Sequence, residues 1–588
     1  MERSRPDEPG SSLLPPEPQL MISAATERAS ACSVAAEIIS IAWPIALNWL
    51  IMTSGGVVPL LLLRDDELGM AALGLATVLC SVTGRTLLWG LGAALDTYAS
   101  QAWGAKEFTA IGLYGQRVLA CLMCLVNVPL TVLWLKADVI LRAMGQEGDV
   151  ADQVLIYARL RLPGQYAAAL GCVLTKVLIA IGETRVLLVC NVVTAIATLA
   201  LLGGLVLGLG LGLEGAAIAM SAADGLQAAM LMAGALLNPS CRKCWGGLTL
   251  ECFRGWPAYL KLAFPSLLMV CCEEWSWDAV TFLSGLTTTT TGGNAHIPQR
   301  RILATQGMLS SILNVCYSLS TAVGRGTGTV VGNALGARQP SRAKRAALVG
   351  VSLGCLVMCA VVGALIASRG VWSHVIPEPP DEPGSGPGSL DGVTEPLGPR
   401  DFVWPTGEGP SSLSADPTIG SMMAQLIPYV AIFVWADGLQ MVLTGAITGA
   451  GVQAVTAPVL IVCYWLLGLP LGAVWAFTAP RLGLLGIWLG MIAAVYSHTT
   501  AYLLICFGGG CVPYAVRWDV VARQAQERVA ESATGYLAPR GDSPETLADR
   551  TLVGREASAA IQRISTTATA LTAAPSPPLT HSSINHAN

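Results

Sequence analysis

Charge is what this sequence has least of. Asp, Glu, Lys and Arg make up 12% of its 588 residues, where soluble domains run near ~25%. With 53% of the residues apolar, that shortage excludes a string of soluble domains, although length alone would suggest about four. It excludes a soluble enzyme with them. The charges also cluster, leaving uncharged runs at 38–63, 118–135, 186–213, 302–324, 346–368, 438–480 and 482–516. About 20 mostly apolar residues cross a bilayer as a helix, so each long run holds one crossing or more. A β-barrel is excluded because its strands would alternate rather than run continuously apolar.

Other absences narrow the class further. No G-x-x-x-x-G-K-[ST] occurs, so nothing points to ATP as an energy source, and no enzyme activity, cofactor or nucleic-acid partner is expected. Only five His are present, and none lies near Cys241-x-x-Cys244. A metal knuckle would need a second pair of ligands there, so no metal site is expected and these two cysteines read as free thiols. Most of the 17 cysteines, such as Cys121, Cys124, Cys190, Cys271 and Cys272, lie inside apolar runs and behave as small hydrophobes. The first 30 or so residues are polar and Pro-rich, with no apolar core of a cleaved signal peptide ahead of the first span.

What is present reads as an all-α polytopic membrane protein. Twelve helices are expected near 38–62, 69–97, 113–136, 154–181, 186–210, 213–237, 257–287, 303–331, 345–369, 421–449, 454–479 and 482–507. Lys and Arg fall in the loops after helices 6 (Arg242, Lys243, Arg254) and 8 (Arg338, Arg342, Lys344, Arg345) and in the tail (Arg517, Arg523). The alternate loops are acidic, with Asp65, Asp66 and Glu67 after helix 1 and Asp381, Glu382, Asp391 and Glu395 after helix 9. The excess of basic residues on the inner side makes both termini cytoplasmic, with Arg300 and Arg301 against the trend. Residues 377–420, rich in Pro, Gly and Ser and acidic, read as a disordered outer loop. Residues 519–588 read as a polar tail with a short surface helix over Asp519–Val529.

Self-comparison divides the chain in two. IAWPIALNW (41–49) resembles LAFPSLLMV (262–270), which sets Pro44 opposite Pro265; SQAWGAKEF (100–108) resembles GNALGARQP (332–340), which sets Gly104 opposite Gly336. Pro163 corresponds to Pro428, and LGLEGAAIAM (211–220) to LGLLGIWLGM (482–491). Four matches in the same order argue for two six-helix lobes in parallel repeat, a plan used by transporters that rock two bundles around a central cavity. The expected divisions are 1–37, an N-lobe 38–237, a basic linker 238–256, a C-lobe 257–518 and the tail 519–588.

An ionisable side chain inside a membrane helix is costly and marks a functional candidate. The candidates are Arg85, Lys176, Asp224, Glu273, Glu274, Asp278, Arg325 and Asp437; Asp96, Glu183 and Glu214 sit near helix ends and read as interfacial. Helix 7 stands out, because CCEEWSWDAVTF places three carboxylates and two Trp within six residues. Regular helix geometry sets Glu274 and Asp278 about 40° apart and Glu273 and Asp278 about 140° apart. A carboxylate in a low-dielectric cavity holds a proton more tightly than in water, and Trp275 and Trp277 can hold a cation over a ring face. A proton and an organic cation would then compete for the same acids. The alternative is structural pairing of the acids with Arg85, Lys176 or Arg325, of snorkelling of those basic chains to the interface, and of plain packing for the two Trp and for Tyr317.

Several long segments resemble the multidrug and toxin extrusion (MATE) family: ALDTYASQAWGAKEF (94–108) with GLYGQR (112–117), VVGNALGARQPSRAKRA (330–346), TGAITGAGVQ (444–453), CYWLLGLPLG (463–472) and LGIWLGM (485–491). The stretch 245–286 is similar to helices 6 and 7 of the family's animal organic-cation/proton exchangers. The resemblance spans roughly 40–525. It implies two six-helix lobes that open alternately to either side, export of small organic cations in exchange for protons, and a plasma-membrane location. Carried over by position, the family's helix 7 acids fall on Glu273 and Asp278, its helix 10 acid on Asp437, its helix 4 Lys on Lys176 and its helix 8 Tyr on Tyr317. That choice of Glu273 over Glu274 goes against the regular wheel and assumes that Pro265 distorts the helix. Departures from the family pattern are Ser311 for an acid, Ser320 for a Pro, Val330 for an Arg, Ser81 for an Asn, and the extra charge of Arg85. Na⁺ coupling stays open, as does a transport-inactive relative that scaffolds a partner; a lipid-linked saccharide flippase would want a basic rather than an acidic cavity.

Overall fold

A computed structural model describes residues 16–55, 58–63, 66–146, 148–290, 299–371, 419–478, 482–509 and 514–533, all within one compact unit. In lipid a backbone can satisfy its polar groups only internally, and the uncharged runs accordingly form long helices. In chain order these are α1 (Pro16–Gly55), α2 (Leu68–Gly104), α3 (Phe108–Trp134), α4 (Gly148–Ala180), α5 (Thr184–Gly208), α6 (Gly212–Leu237), α7 (Trp256–Thr290), α8 (Gln299–Gly336), α9 (Pro340–Gly370), α10 (Ile419–Ala450), α11 (Gln453–Phe477) and α12 (Leu484–Phe507). Among the described residues eleven of them are long and apolar enough to cross a membrane. The exception is α7, which has the length but carries Glu273, Glu274 and Asp278 at its middle.

The expected helix ends were too short in places. Helix 2 continues past 97 to Gly104, helix 1 starts at Pro16 rather than 38, and helix 9 starts at Pro340. In helices 2 and 9 a charged or polar stretch of one to two turns continues the helix beyond its apolar run, and in helix 1 a polar stretch of 22 residues precedes it, which composition alone does not reveal. The loop expected over 377–420 lies outside the described residues apart from the first turn of α10.

The two lobes repeat each other down to their turns. Among the described residues Lys106 (φ 65°) and Arg338 (φ 60°) are the non-Gly residues with left-handed backbone, and each follows the matched glycine, Gly104 or Gly336, by two positions. Each turn is closed the same way, by Glu107 N–H to Ala102 O and by Gln339 N–H to Ala334 O, a bonding pattern typical of a helix end with a left-handed cap. Gly182 (φ 81°) matches Gly451 (φ 76°), and Gly212 (φ 52°) matches Gly483 (φ 55°). The matched prolines Pro44, Pro265, Pro163 and Pro428 all lie inside helices.

Between the lobes, α1 packs along α8 and its repeat counterpart α7 packs along α2. At the basic end the lobes meet backbone to backbone: a Cβ on Gly104 would run into the carbonyl of Asn333, and one on Gly336 into that of Gln101. Gln101 Nε2 donates to Gly449 O (3.0 Å), Gln453 Nε2 to Thr97 Oγ1 (3.0 Å), and Thr97 Oγ1 to Thr448 O. One hydrophobic core there joins residues of both lobes. At the opposite end the cores are separate, one of N-lobe residues such as Leu73, Val154 and Leu213 and one of C-lobe residues such as Leu313 and Trp488.

The expected surface helix after α12 is α13 (Trp518–Ala533), and it is docked rather than free. Trp518, Val521, Ala522, Ala525 and Val529 are buried. Arg528 donates to Gln101 Oε1 (3.2 Å) in one lobe and to Gly451 O (3.1 Å) in the other, so α13 lies across the closed seam.

Because neither backbone at the crossing can retreat, Gly104→Val and Gly336→Val should each destabilise the purified protein by about 1–3 kcal/mol, read as a lowered Tm. Gly363→Val, where an added Cβ meets nothing within 4 Å, should leave Tm unchanged.

Candidate functional site

The lobes leave a cavity of about 130 Å³ between them, lined among others by Asp96, Val270, Glu273, Tyr317, Arg325 and Met441. Its floor, next to the closed end, is a compensated charge cluster. Asp96 Oδ2 accepts from Lys176 Nζ (2.9 Å) and from Arg325 Nη1 (3.4 Å). Both cations also sit over the Trp89 ring, 5.1 and 5.5 Å from its centroid. Trp49 bridges from Trp89 (6.2 Å) to Tyr317, which it meets edge-on at 6.5 Å.

This floor corrects two expectations. Asp96 is not interfacial: α2 runs two further turns to Gly104, which puts Asp96 inside the bundle. Lys176 does not snorkel: its side chain is 1% exposed, held by an acid on the neighbouring helix of its own lobe. The sequence signal for Asp96 is its place in ALDTYASQ, a segment whose charge sits ahead of two further polar helical turns.

The cavity wall is acidic and uncompensated. Glu273 faces the cavity, with Asp437 buried within electrostatic reach of it. Neither forms an ion pair with a basic side chain among the described residues. α7 runs unbroken from Trp256 through Pro265 to Thr290, so the proline does not distort it enough to bring Glu273 and Asp278 onto one face. Asp278 instead pairs by position with Glu274, one turn away, and both are exposed. Behind Asp437, Thr499 Oγ1 donates to Ala436 O (3.0 Å) and the buried His498 ring meets Tyr502 (4.0 Å) and Tyr464 (5.5 Å) edge-on.

The remaining candidates lie elsewhere. Trp277 packs against Phe433 (5.3 Å) and Trp488 (6.2 Å) in the C-lobe core, while Trp275 is 38% exposed. Ser81 is exposed at a π-helical turn of α2. Asp224 accepts from Arg161 Nη1 at 2.7 Å within the N-lobe; Arg161, in the first turns of the expected helix 4, is absent from the sequence candidates. Cys241 and Cys244 are free and buried within the basic linker, where desolvation pushes their thiols up to about 12 and about 11.

A family model described as MatE matches residues 44–202 and 279–381. Protein DETOXIFICATION 17 of Arabidopsis thaliana is 30% identical over 473 residues, 79% of this chain and 86% of that protein. Multidrug and toxin extrusion protein 2 of Mus musculus is 28% identical over 528 residues, 89% of this chain and 80% of that protein. The crystal structure of the eukaryotic MATE transporter AtDTX14 superposes with a TM-score of 0.70 at 23% identity, covering 85% of this chain and 100% of that one.

Removing one partner of a buried ion pair leaves an unpaired charge and costs about 3–5 kcal/mol. Arg161→Gln should therefore lower Tm sharply, and adding Asp224→Asn should recover part of the loss. Thiolate is the reactive form of cysteine, and its share grows about tenfold per pH unit below the pKa. Maleimide modification of Cys241 and Cys244, followed by mass spectrometry of the folded protein, should be slow at neutral pH and accelerate up to pH 11.

Proposed function

The chain belongs to the multidrug and toxin extrusion (MATE) family of membrane transporters, and from that premise we propose that it exports small organic cations in exchange for protons, in the manner of the family's animal members. The observation that carries this reading is the contrast within one cavity: Asp96, Lys176 and Arg325 neutralise one another, while Glu273, with Asp437 behind it, has no cationic partner among the described residues. Two acids in a low-dielectric wall attract a cation when ionised and release it when protonated, so proton and substrate exclude each other.

On this reading the closed, basic end is cytoplasmic and the separated end faces outward. Proton entry from outside neutralises Glu273 or Asp437 and frees the cation; a cation arriving from the cytoplasm displaces the proton. The cavity alternates between the two sides by rocking of the lobe 38–237 against the lobe 257–518, in the plasma membrane, with the segments 1–37 and 519–588 cytoplasmic and 377–420 outside. Asp278 lies further out on α7, beside Glu274 and on another face from Glu273, so the exchange is assigned to Glu273 and Asp437.

A transport-inactive relative is favoured by one observation. At the position where the animal subgroup has an acid, Ser311 supplies only a hydroxyl, and that donates to Gly307 O (3.0 Å) in its own helix.

Uptake of radiolabelled tetraethylammonium into proteoliposomes distinguishes the readings. An imposed proton gradient should drive uptake that Glu273→Gln and Asp437→Asn each reduce about tenfold or more, and a Na⁺ gradient should not replace it. No uptake of any of a panel of cations by folded protein would favour the inactive relative.

A further inference from the structure

We infer that the ion pair between Asp96 and Arg325 is the latch of the state closed at Gly104 and Gly336, and that Arg325 is its moving member. The inference rests on the transporter reading for its purpose but on geometry for its existence. Asp96 belongs to α2 of the N-lobe and Arg325 to α8 of the C-lobe, so their bond at 3.4 Å crosses the lobes. Asp96 immediately precedes the α2 residues that make the seam: Thr97 with Thr448, Ser100 beneath Gly332, and Gln101 with Gly449. Opening that end separates α2 from α8 at this level, and the pair cannot outlast the separation.

The three members of the cluster are not equivalent. Lys176 is in the same lobe as Asp96, its side chain is 1% exposed and its contact is the shorter, 2.9 Å. It stays with Asp96 when the lobes part and keeps that carboxylate compensated. The Arg325 side chain is 24% exposed, lines the cavity and makes the longer contact. Asp96 Oδ1 and Arg325 Nε are both buried and without a hydrogen-bond partner among the described residues. A network left half-satisfied in this way is weak glue; a permanent structural pair would resemble Arg161 and Asp224, which meet at 2.7 Å within one lobe. The arrangement is that of a contact made and broken: strong enough to bias one state, incomplete enough to release. Arg325 and Lys176 are thus positioning residues, since neither needs to touch the cation held at Glu273.

Hydrogen exchange of the full chain in lipid nanodiscs tests this without a substrate. In Arg325→Gln and in Asp96→Asn the amides of segments 97–107 and 330–340 should exchange about threefold faster or more, because the seam opens more often. The double variant should be no faster than Asp96→Asn alone, since that substitution already removes the bond to Arg325, whereas Arg325→Lys should stay within about twofold of the parent. Unchanged exchange in Arg325→Gln, or effects that multiply in the double variant, would overturn the latch. If Arg325→Gln does not fold, Arg325→Lys combined with Asp96→Asn against Asp96→Asn alone gives the same comparison, and any further acceleration there would overturn it. A parent protein that binds and transports no cation would sink the transport reading and leave these exchange rates to be judged on their own.

Discussion

Without a Cβ at Gly104 and Gly336, α2 and α8 cross with their backbones in contact, and the carbonyls of Asn333 and Gln101 fill the space that side chains would need. That close approach places the turns at Lys106 and Arg338 side by side, lets Thr97 and Gln101 bond across the lobes, and gives α13 a continuous surface to lie on. It also sets the depth of the cavity, whose floor is the first level at which the helices have diverged enough for Asp96 and Arg325 to reach each other through their side chains.

Above that floor the distribution of charge is uneven in a way that has physical consequences. Burying an ion is tolerable when an opposite charge is bonded to it, and the N-lobe follows this rule twice, with Arg161 on Asp224 and Lys176 on Asp96. The C-lobe does not follow it at Glu273 and Asp437. There two neighbouring carboxylates have no basic partner among the described residues, and the proposed exchange of proton and cation rests on that contrast.

The repeat was legible because it is written in residues with special backbone roles. Glycines and prolines recur at matched places, and the structure gives the reason at Gly182 and Gly451 and at Gly212 and Gly483, where the left-handed backbone excludes most side chains. Charged residues were harder to place. Asp96 and Arg161 lie close to where the apolar stretches of α2 and α4 fade, and a helix that continues past its apolar stretch carries such residues inward without any change of composition to announce it.

The sequence by itself determined the class of the molecule, its two-lobed plan and the helix that carries the acids, because crossing a bilayer demands long apolar helices and because α7 stands out from the others by its three carboxylates. Tertiary structure alone decided which acid faces which partner. Glu273 and Glu274 are adjacent in sequence, yet the uninterrupted turn of α7 sends one toward Asp437 and the other toward Asp278. The partners of Asp96 come from α4 and α8, the latter more than two hundred residues away. Ion pairing depends on distances of a few ångströms between helices, and those are set by how closely the glycine-lined crossings allow the helices to pack.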